Sequence, residues 1–340
     1  MHCMPYSLRA ATWRTLHRWG VIQRFVGAAK NAALTAAGFH DGLTLLPHLD
    51  PDALNRILTY RPLKETANHR HESKPPRVSI IIVTYNNLPL TKLCLESIAR
   101  NTEYANSEVI VVDNRSTDNT PAYLQRVAHE CKWITFLLND RNEGFARANN
   151  QGIARARGDF LVLLNNDTIV PPGWLEGLLW HLQDRAIGLV GPVSNFVGNE
   201  ARVEVYYRTW EEMESFARYT MRRNARTIAD IHMLAMFCVA FRREIYDAIG
   251  PLDEQFGVGM FEDDDYSLRI KRAGYRVVCA PGVFVHHFGR AAFEKLEATG
   301  EYNSIFAQNR ERFEKKWNLQ WQPHRSGSLR REKHAIAARS

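Results

Sequence analysis

Residues 78–87 read VSIIIVTYNN, a β-branched run that stops abruptly at polar residues. An unbroken apolar run of this length predicts a strand buried on both faces, the character of a parallel sheet. The same grammar repeats downstream. Glu108 to Val112 reads as a second buried strand ending at Asp113-Asn114, and Trp133 to Leu138 as a third. Asp159 to Leu164 is a fourth, ending at Asn165-Asn166-Asp167. Between them, 89–100, 119–130 and 144–157 have helical composition. Strands and helices alternating in this way predict an α/β fold with a mainly parallel central sheet and helices on both faces. Polar residues gather just past the carboxyl ends of the strands, where open α/β sheets bind ligands.

Upstream, residues 65–77 are polar, rich in His and Lys, and end in Pro75-Pro76, which marks a linker. Three parts follow: a basic helical extension at 1–75, a catalytic domain at 76–321 and a basic, disordered tail at 322–340. In the extension, Trp19, Ile22, Val26, Ala29 and Ala33 share one helical face within 7–34, and 51–60 reads as a second helix after Asp50-Pro51.

The net charge is +7, but residues 1–40 carry +5 and residues 322–340 carry +4, leaving 41–321 at −2. A slightly acidic body does not read as a nucleic-acid groove. The five cysteines are scattered and form no CxxC pair, so neither a disulfide framework nor a zinc site is expected. No apolar run reaches the ~20 residues of a membrane-spanning helix. Arg14, Arg18 and Arg24 break any signal-peptide core, although the acid-free start also has the composition of an organelle transit peptide. The basic ends suit either a cytoplasmic enzyme held peripherally at the inner face of a membrane or plain packing on the catalytic domain.

Four segments then stand in order: IIIVTYNN (80–87), VVDNRSTDNT (111–120), NEGFARANNQGI (142–153) with LLNNDT (163–168), and FEDDDYSLR (261–269) with VFVHHFG (283–289). Together they resemble the family 2 glycosyltransferases, which have the GT-A fold. The likeness covers roughly residues 77–290 and is nearest to bacterial members that add rhamnose or galactofuranose to surface polysaccharides.

The resemblance implies that Thr84, Tyr85 and Asp113 surround the nucleotide base and ribose, with Asn142, Gly144 and Asn150 against the nucleotide. Turn chemistry and helix capping account for Asp113 and Asn142 as well, while Gly144 would let backbone N–H groups approach an anion. Asn165-Asn166-Asp167 stands where the family has Asp-x-Asp. Asp167 is then the expected ligand of a divalent metal, Mg or Mn, Asn165 faces the sugar or a metal-bound water, and Asn166 is expected with it at the nucleotide donor. His286 is expected to complete the metal shell, with His287 on the opposite face of a strand.

In the run Glu262-Asp263-Asp264-Asp265 the resemblance makes Asp263 the base and Glu262 its orienting partner or an acceptor contact. Crowded carboxylates need a cation, water or a helix N-terminus to offset them. Asp265 is a candidate acceptor contact or an ion-pair partner of Arg269. Trp174 fits an acceptor sugar or the core equally.

The expected reaction is inverting transfer of a sugar from a nucleotide-diphosphate sugar to a hydroxyl of a glycan or lipid-linked acceptor. A nucleotidyltransferase would share the architecture, but its Gly-rich loop after the first strand is replaced here by TYNNLPL. A non-catalytic nucleotide-sugar binder is the reading that Asn165 suggests.

Overall fold

The computed structural model describes residues 75–289, 300–324, 329 and 332–333. The helices expected at 7–34 and 51–60 lie outside the described residues, and with them the basic extension and its membrane tether.

Strand β1 (Val78–Thr84) runs parallel to β2 (Ser107–Asp113) on one side and to β4 (Phe160–Asn165) on the other. β3 (Ile134–Leu138) extends the sheet beyond β2. The intervening helices are α1 (Leu88–Asn101), α2 (Thr120–Glu130) and α3 (Phe145–Arg155). Pro89 and Pro121 sit in the first turns of α1 and α2, where a missing N–H costs nothing and the fixed φ favours the helix. The chain leaves β1 towards β2 and returns on its other flank as β4, so β1 is the point at which strand order reverses. Register sets Thr84 beside Asp113 and Val83 beside Asn165. Three polar strand ends thus lie level at one edge of the sheet.

The chain continues through β5 (Thr168–Ile169), α4 (Trp174–His181), β6 (Ile187–Val193), α5 (Trp210–Arg223), β7 (Thr227–Asp230) and β8 (Cys238–Arg242). It ends with α6 (Arg243–Ile249), α7 (Glu262–Arg272), β9 (Arg276–Phe284), β10 (His286–His287), α8 (Glu301–Trp317) and β11 (Glu332–Lys333). Strand order in the main sheet is β11-β7-β9-β6-β8-β4-β1-β2-β3, and β5 pairs with β10 in a separate ribbon. β8 runs antiparallel between β4 and β6, while β6 and β9 are parallel. The strands β1, β2, β4, β6 and β8 are buried almost throughout, as a sheet covered on both faces requires.

Where the sequence leads one to expect a disordered tail from 322, the few residues described there make contacts with the domain. Leu329 packs on the main core and Glu332–Lys333 pairs with β7. His324 is tied to Asp264, because buried acids recruit donors wherever the chain can supply them.

Gly152 in α3 gives the packing a test. A Cβ there would lie 2.4 Å from Ile81 Cγ2, and Ile81 is a fully buried, β-branched residue of β1. Helix propensity alone favours Ala over Gly by about 1 kcal/mol. Overpacking a core costs about 1–3 kcal/mol. Gly152→Ala is therefore expected to lower stability despite the propensity gain, read as a lower urea midpoint with an unchanged m-value.

Candidate functional site

At the β1 and β2 ends the loops are knitted by backbone and amide contacts. Asn86 Oδ1 accepts from the N–H groups of Thr117 (2.7 Å) and Asp118 (3.3 Å), and Asp118 Oδ2 accepts from Leu88 N–H at 3.0 Å. Asp113 is buried: its Oδ2 accepts from Ser116 N–H at 2.9 Å, and its Oδ1 has no partner among the described residues. Burial pushes its carboxyl above the ordinary value against the Ser116 hydrogen bonds. A buried acceptor left without a partner at the carboxyl ends of the strands, where open α/β sheets bind ligands, is suited to a donor N–H or hydroxyl. Tyr85, 46% exposed, stands over the same edge, whereas Thr84 is buried and bonded to Thr91 Oγ1 at 2.9 Å.

Several amides expected at the ligand are occupied by the protein itself. Asn150 donates to Leu252 O (2.9 Å) and Glu254 Oε1 (3.0 Å) and accepts from Leu252 N–H (2.9 Å). Its amide is spent on the 252–254 segment and is not open to a nucleotide. Asn142 Oδ1 accepts from Gly144 N–H at 3.0 Å, and Asn166 Nδ2 donates to Thr91 Oγ1 (3.0 Å) and Thr84 Oγ1 (3.2 Å). Gly144 itself, at φ +82°, faces protein: a Cβ there would lie 1.9 Å from Gly257 O. The expected close approach of an anion is taken by that carbonyl, which also accepts from Phe145 N–H at 3.2 Å. Asn114, which the sequence reading passed over, holds this corner by donating to Gly144 O at 3.0 Å. The Asn165 side chain makes no hydrogen bond among the described residues.

The β5–β10 ribbon brings Asp167 to His287, not to His286. Thr168 pairs with His287 and Ile169 with His286, and successive side chains of a strand face opposite ways. His287 Nε2 lies 3.2 Å from Asp167 Oδ1, while Asp167 Oδ2 accepts from Gly289 N–H at 3.1 Å. Asn195 grips the His287 backbone through both its N–H (2.9 Å) and its carbonyl (3.0 Å), and Phe237 stacks on the ring at 4.8 Å. His286 points instead into the core. There its Nδ1 meets Tyr207 OH at 2.6 Å, and burial lowers its pKa to about 3.

His287 Nδ1 is 2.9 Å from Phe196 O, which can only accept, so Nδ1 carries the proton. In the neutral ring, Nε2 then presents a lone pair to the Asp167 carboxylate. Two acceptors at that separation need a proton or a cation between them. Burial opposes the charge on both groups, yet mutual attraction prevails, raising His287 and lowering Asp167. A nitrogen and a carboxylate oxygen, with the other imidazole nitrogen fixed by a carbonyl, fit a divalent cation. Among the described residues no third His, Cys, Asp or Glu joins them.

The acidic run opens α7. Met260 and Phe261 precede it with φ of 75° and 77°, left-handed backbone that costs roughly 1–3 kcal/mol per non-glycine residue. Asn309 of α8, fully buried, holds that turn by donating to Phe256 O (2.8 Å), Gly259 O (2.8 Å) and Met260 O (3.2 Å). Glu262 and Asp263 lie together at the helix start. Burial, then Asp264, raises Asp263 to about 7; burial, then Asp263, holds Glu262 well above the carboxylate range. Asp265 is not an acceptor contact. It is fully buried and bound by Lys316 Nζ (2.5 Å), Trp317 Nε1 (2.9 Å) and Arg269 Nε (3.1 Å). Trp174 likewise belongs to the core: it is 1% exposed and donates to Thr102 Oγ1 at 3.0 Å.

Residues 79–250 match the family described as Glycosyl transferase family 2. The O-antigen biosynthesis protein RfbC of Myxococcus xanthus is 29% identical over 238 residues, 62% of this chain and 17% of that protein. The glycosyltransferase AglE of Haloferax volcanii is 27% identical over 225 residues, 65% of this chain and 70% of that protein. Among solved structures, GalNAc-T7 with UDP, GalNAc and Mn2+ superposes with a TM-score of 0.51 at 17% identity, over 77% of this chain and 53% of that chain. The chain spans only 28% and 17% of the length of two curated relatives that it matches. The family match stops before the acidic run, so what is said of that run rests on its geometry.

The raised carboxyl also carries a stability signature. Asp263 ionises at about 7 in the folded chain, against ~3.9 in an unfolded one. The folded state binds the extra proton between these values. The resulting stability is full below about pH 4 and is lost as pH rises through the folded value. Asp263→Asn is expected to raise the melting temperature at about pH 8 and to leave it unchanged at about pH 4. An equal gain at both values would exclude ionisation as its source.

Proposed function

Because the chain belongs to glycosyl transferase family 2, we propose that it transfers a sugar from a nucleotide-diphosphate donor to a hydroxyl of a glycan or lipid-linked acceptor, with inversion. The observation that carries this reading is Asp263, a carboxylate raised to about 7 and bonded by no side chain among the described residues. General bases work best when their pKa lies near the working pH.

In this reading the crevice outside β1, β2 and β4 takes the nucleotide. Asp113 Oδ1 accepts from the base or ribose, and Tyr85 covers the same edge. Asp167 and His287 would hold a Mg or Mn ion, which supplies positive charge against the diphosphate. The fit is one of donor chemistry, an imidazole nitrogen whose tautomer Phe196 O sets and a carboxylate beside it. GalNAc-T7, which shares the fold, was solved with UDP and Mn2+. Asn165, with its amide open, is placed to meet the sugar.

Asp263 takes the proton of the acceptor hydroxyl as that oxygen attacks the anomeric carbon, and the bond from that carbon to the phosphate oxygen breaks, so that the nucleotide diphosphate departs with the electron pair. Glu262, protonated by its burial, keeps the second negative charge away while Asp263 is ionised. A single base acting on a single acceptor leads to one displacement, hence inversion. A binder without turnover would have no use for a carboxylate kept near neutrality at the cost of stability.

No helix among the described residues is long and apolar enough to cross a membrane. The peripheral, inner-face placement proposed here rests on the charge of residues 1–40 and 322–340.

Trial of purified protein against UDP-, GDP- and dTDP-sugars with Mn2+ tests the reading. Asp263→Asn is expected to retain donor binding and lose ~10²-fold or more in turnover. Asp167→Asn and His287→Gln are expected to weaken Mn2+-dependent donor binding, and chelator to abolish turnover. Full activity of Asp263→Asn, or turnover unaffected by chelator, would overturn the assignment.

A further inference from the structure

Past the family match, the chain returns over the acidic helix. Trp321 Nε1 donates to Asp264 Oδ1 at 3.1 Å, and His324 Nε2 lies 3.2 Å from Asp264 Oδ2. Lys316 and Trp317 claim Asp265 in the same way. Phe261, whose left-handed turn launches the run, is packed among Phe306, Phe313 and Trp321. Among the described residues no side chain hydrogen-bonds Asp263, which accepts from the backbone N–H of Asp264 at 3.0 Å.

We propose that residues 301–324 select the base: by binding Asp264 and Asp265 they leave Asp263, with the more deeply buried Glu262 beside it, as the carboxylate of the run free to take a proton, and His324 is the positioning residue that sets when it ionises. This rests on the reading of Asp263 as the base and adds how the choice among adjacent acids is made.

Each carboxylate of the run would destabilise its ionised neighbours unless a donor or cation offsets it. Asp265 is neutralised by Lys316 and Arg269, a lysine and an arginine on different helices. Asp264 has only the indole and the imidazole among the described residues, so its compensation depends on whether His324 is charged. The groups facing His324 are Asp264, Asp263 and Glu200, with the His232 ring centroid 6.4 Å away. His232 in turn faces Lys271, Asp264 and Glu200. Burial opposes a charge on His324, but the hydrogen bond and charge of Asp264 prevail and raise its pKa. For Asp263 the signs are opposed: burial and Asp264 raise it, and His324 lowers it. A protonated His324 thus favours the ionised Asp263, and a neutral one favours its protonated form.

The test needs no substrate. In the full chain, with aspartate carboxyl carbons labelled, the Asp263 signal is assigned by its loss in Asp263→Asn and titrated by NMR. The wild-type midpoint is expected near 7. His324→Gln keeps a donor without a charge and is expected to raise that midpoint by about one pH unit. His324→Lys, which keeps the cation, is expected to hold it. Trp321→Phe removes the other donor to Asp264 and is expected to raise it as well, so the inference stays testable if the Gln variant does not fold.

A merely structural role would leave the midpoint where it is in every folded variant, and that result overturns the proposal. So does a wild-type Asp263 that titrates in the ordinary carboxylate range while Asp264 titrates high. An Asp263→Asn protein with full turnover would remove the base reading and leave the titration result standing. An inactive Asp263→Asn with an unmoved midpoint in His324→Gln removes this inference alone.

Discussion

A side chain at residue 144 would bring its Cβ to 1.9 Å from the Gly257 carbonyl oxygen, inside any tolerable contact, and Phe145 donates its N–H to the same oxygen. This touch of two backbones fastens the loop after β3 to the segment that leads into α7. On one side, Asn114 at the end of β2 holds Gly144, so the loop is referenced to the strand ends that face the crevice. On the other, the segment from Leu252 to Gly259 leads directly to the acids of α7, and Asn150 fastens its start to α3. Asp113 and Asp263 are 150 positions apart in the chain, yet few linkages separate them. A glycine is needed because only a residue without Cβ allows both the left-handed φ and the approach.

The acids that this joint delivers are held in a state that a free helix N-terminus would not sustain. The helix dipole favours negative charge in the first turn by about 0.3–1 kcal/mol per residue at exposed sites. That is too little to keep four adjacent carboxylates ionised while most of them are buried. The structure divides the load. Asp265 and Asp264 receive donors from α8 and the residues after it, Glu262 stays protonated, and Asp263 is left between the two regimes. The left-handed pair Met260–Phe261 and the three carbonyls gathered by Asn309 show that the turn is held there by tertiary contacts. Such strain persists only where its surroundings over-determine it.

The half of the fold that parallel strands build was legible in the sequence. Buried parallel strands read as apolar runs, their ends as polar clusters, and β1 to β4 fall where those signals stand. The antiparallel β8 and the ribbon of β5 and β10 were not legible. Short strands whose partners lie far along the chain leave no local pattern of their own. The choice between His286 and His287 shows the cost. It depends on which face of β10 meets Asp167, and that is set by Asn195 gripping the His287 backbone from the end of β6. The role of residues 301–324 was equally hidden, since Asn309, Trp321 and His324 matter through what they bond across more than fifty residues. The one local trace was the acidic run itself, which demanded donors without saying where they come from.

The amides expected at the nucleotide share a chemical character. Among the described residues Asn142, Asn150 and Asn166 each hydrogen-bond the protein; Asn150 spends both ends of its amide, while Asn142 commits its oxygen alone and Asn166 its nitrogen alone. An amide carries donors and an acceptor together, so it can satisfy both polarities of a turning backbone, and a carboxylate cannot. Loops beside a ligand crevice need that service as much as the ligand does, so position in such a loop does not identify a ligand contact. The groups left without a side-chain partner among the described residues are of other kinds, the Asp113 Oδ1 acceptor and the Asp263 carboxylate, while Asp167 and His287 face each other. Asn165 stands apart from the other amides, at the end of β4 two residues before Asp167, with its side chain unclaimed among the described residues. An amide that no loop uses, beside an acid that an imidazole already faces, is better placed to meet a neutral hydroxyl than to add charge to a cation site. In the reading proposed above, that distribution assigns Asn165 to the sugar side and leaves the metal-side charge to Asp167.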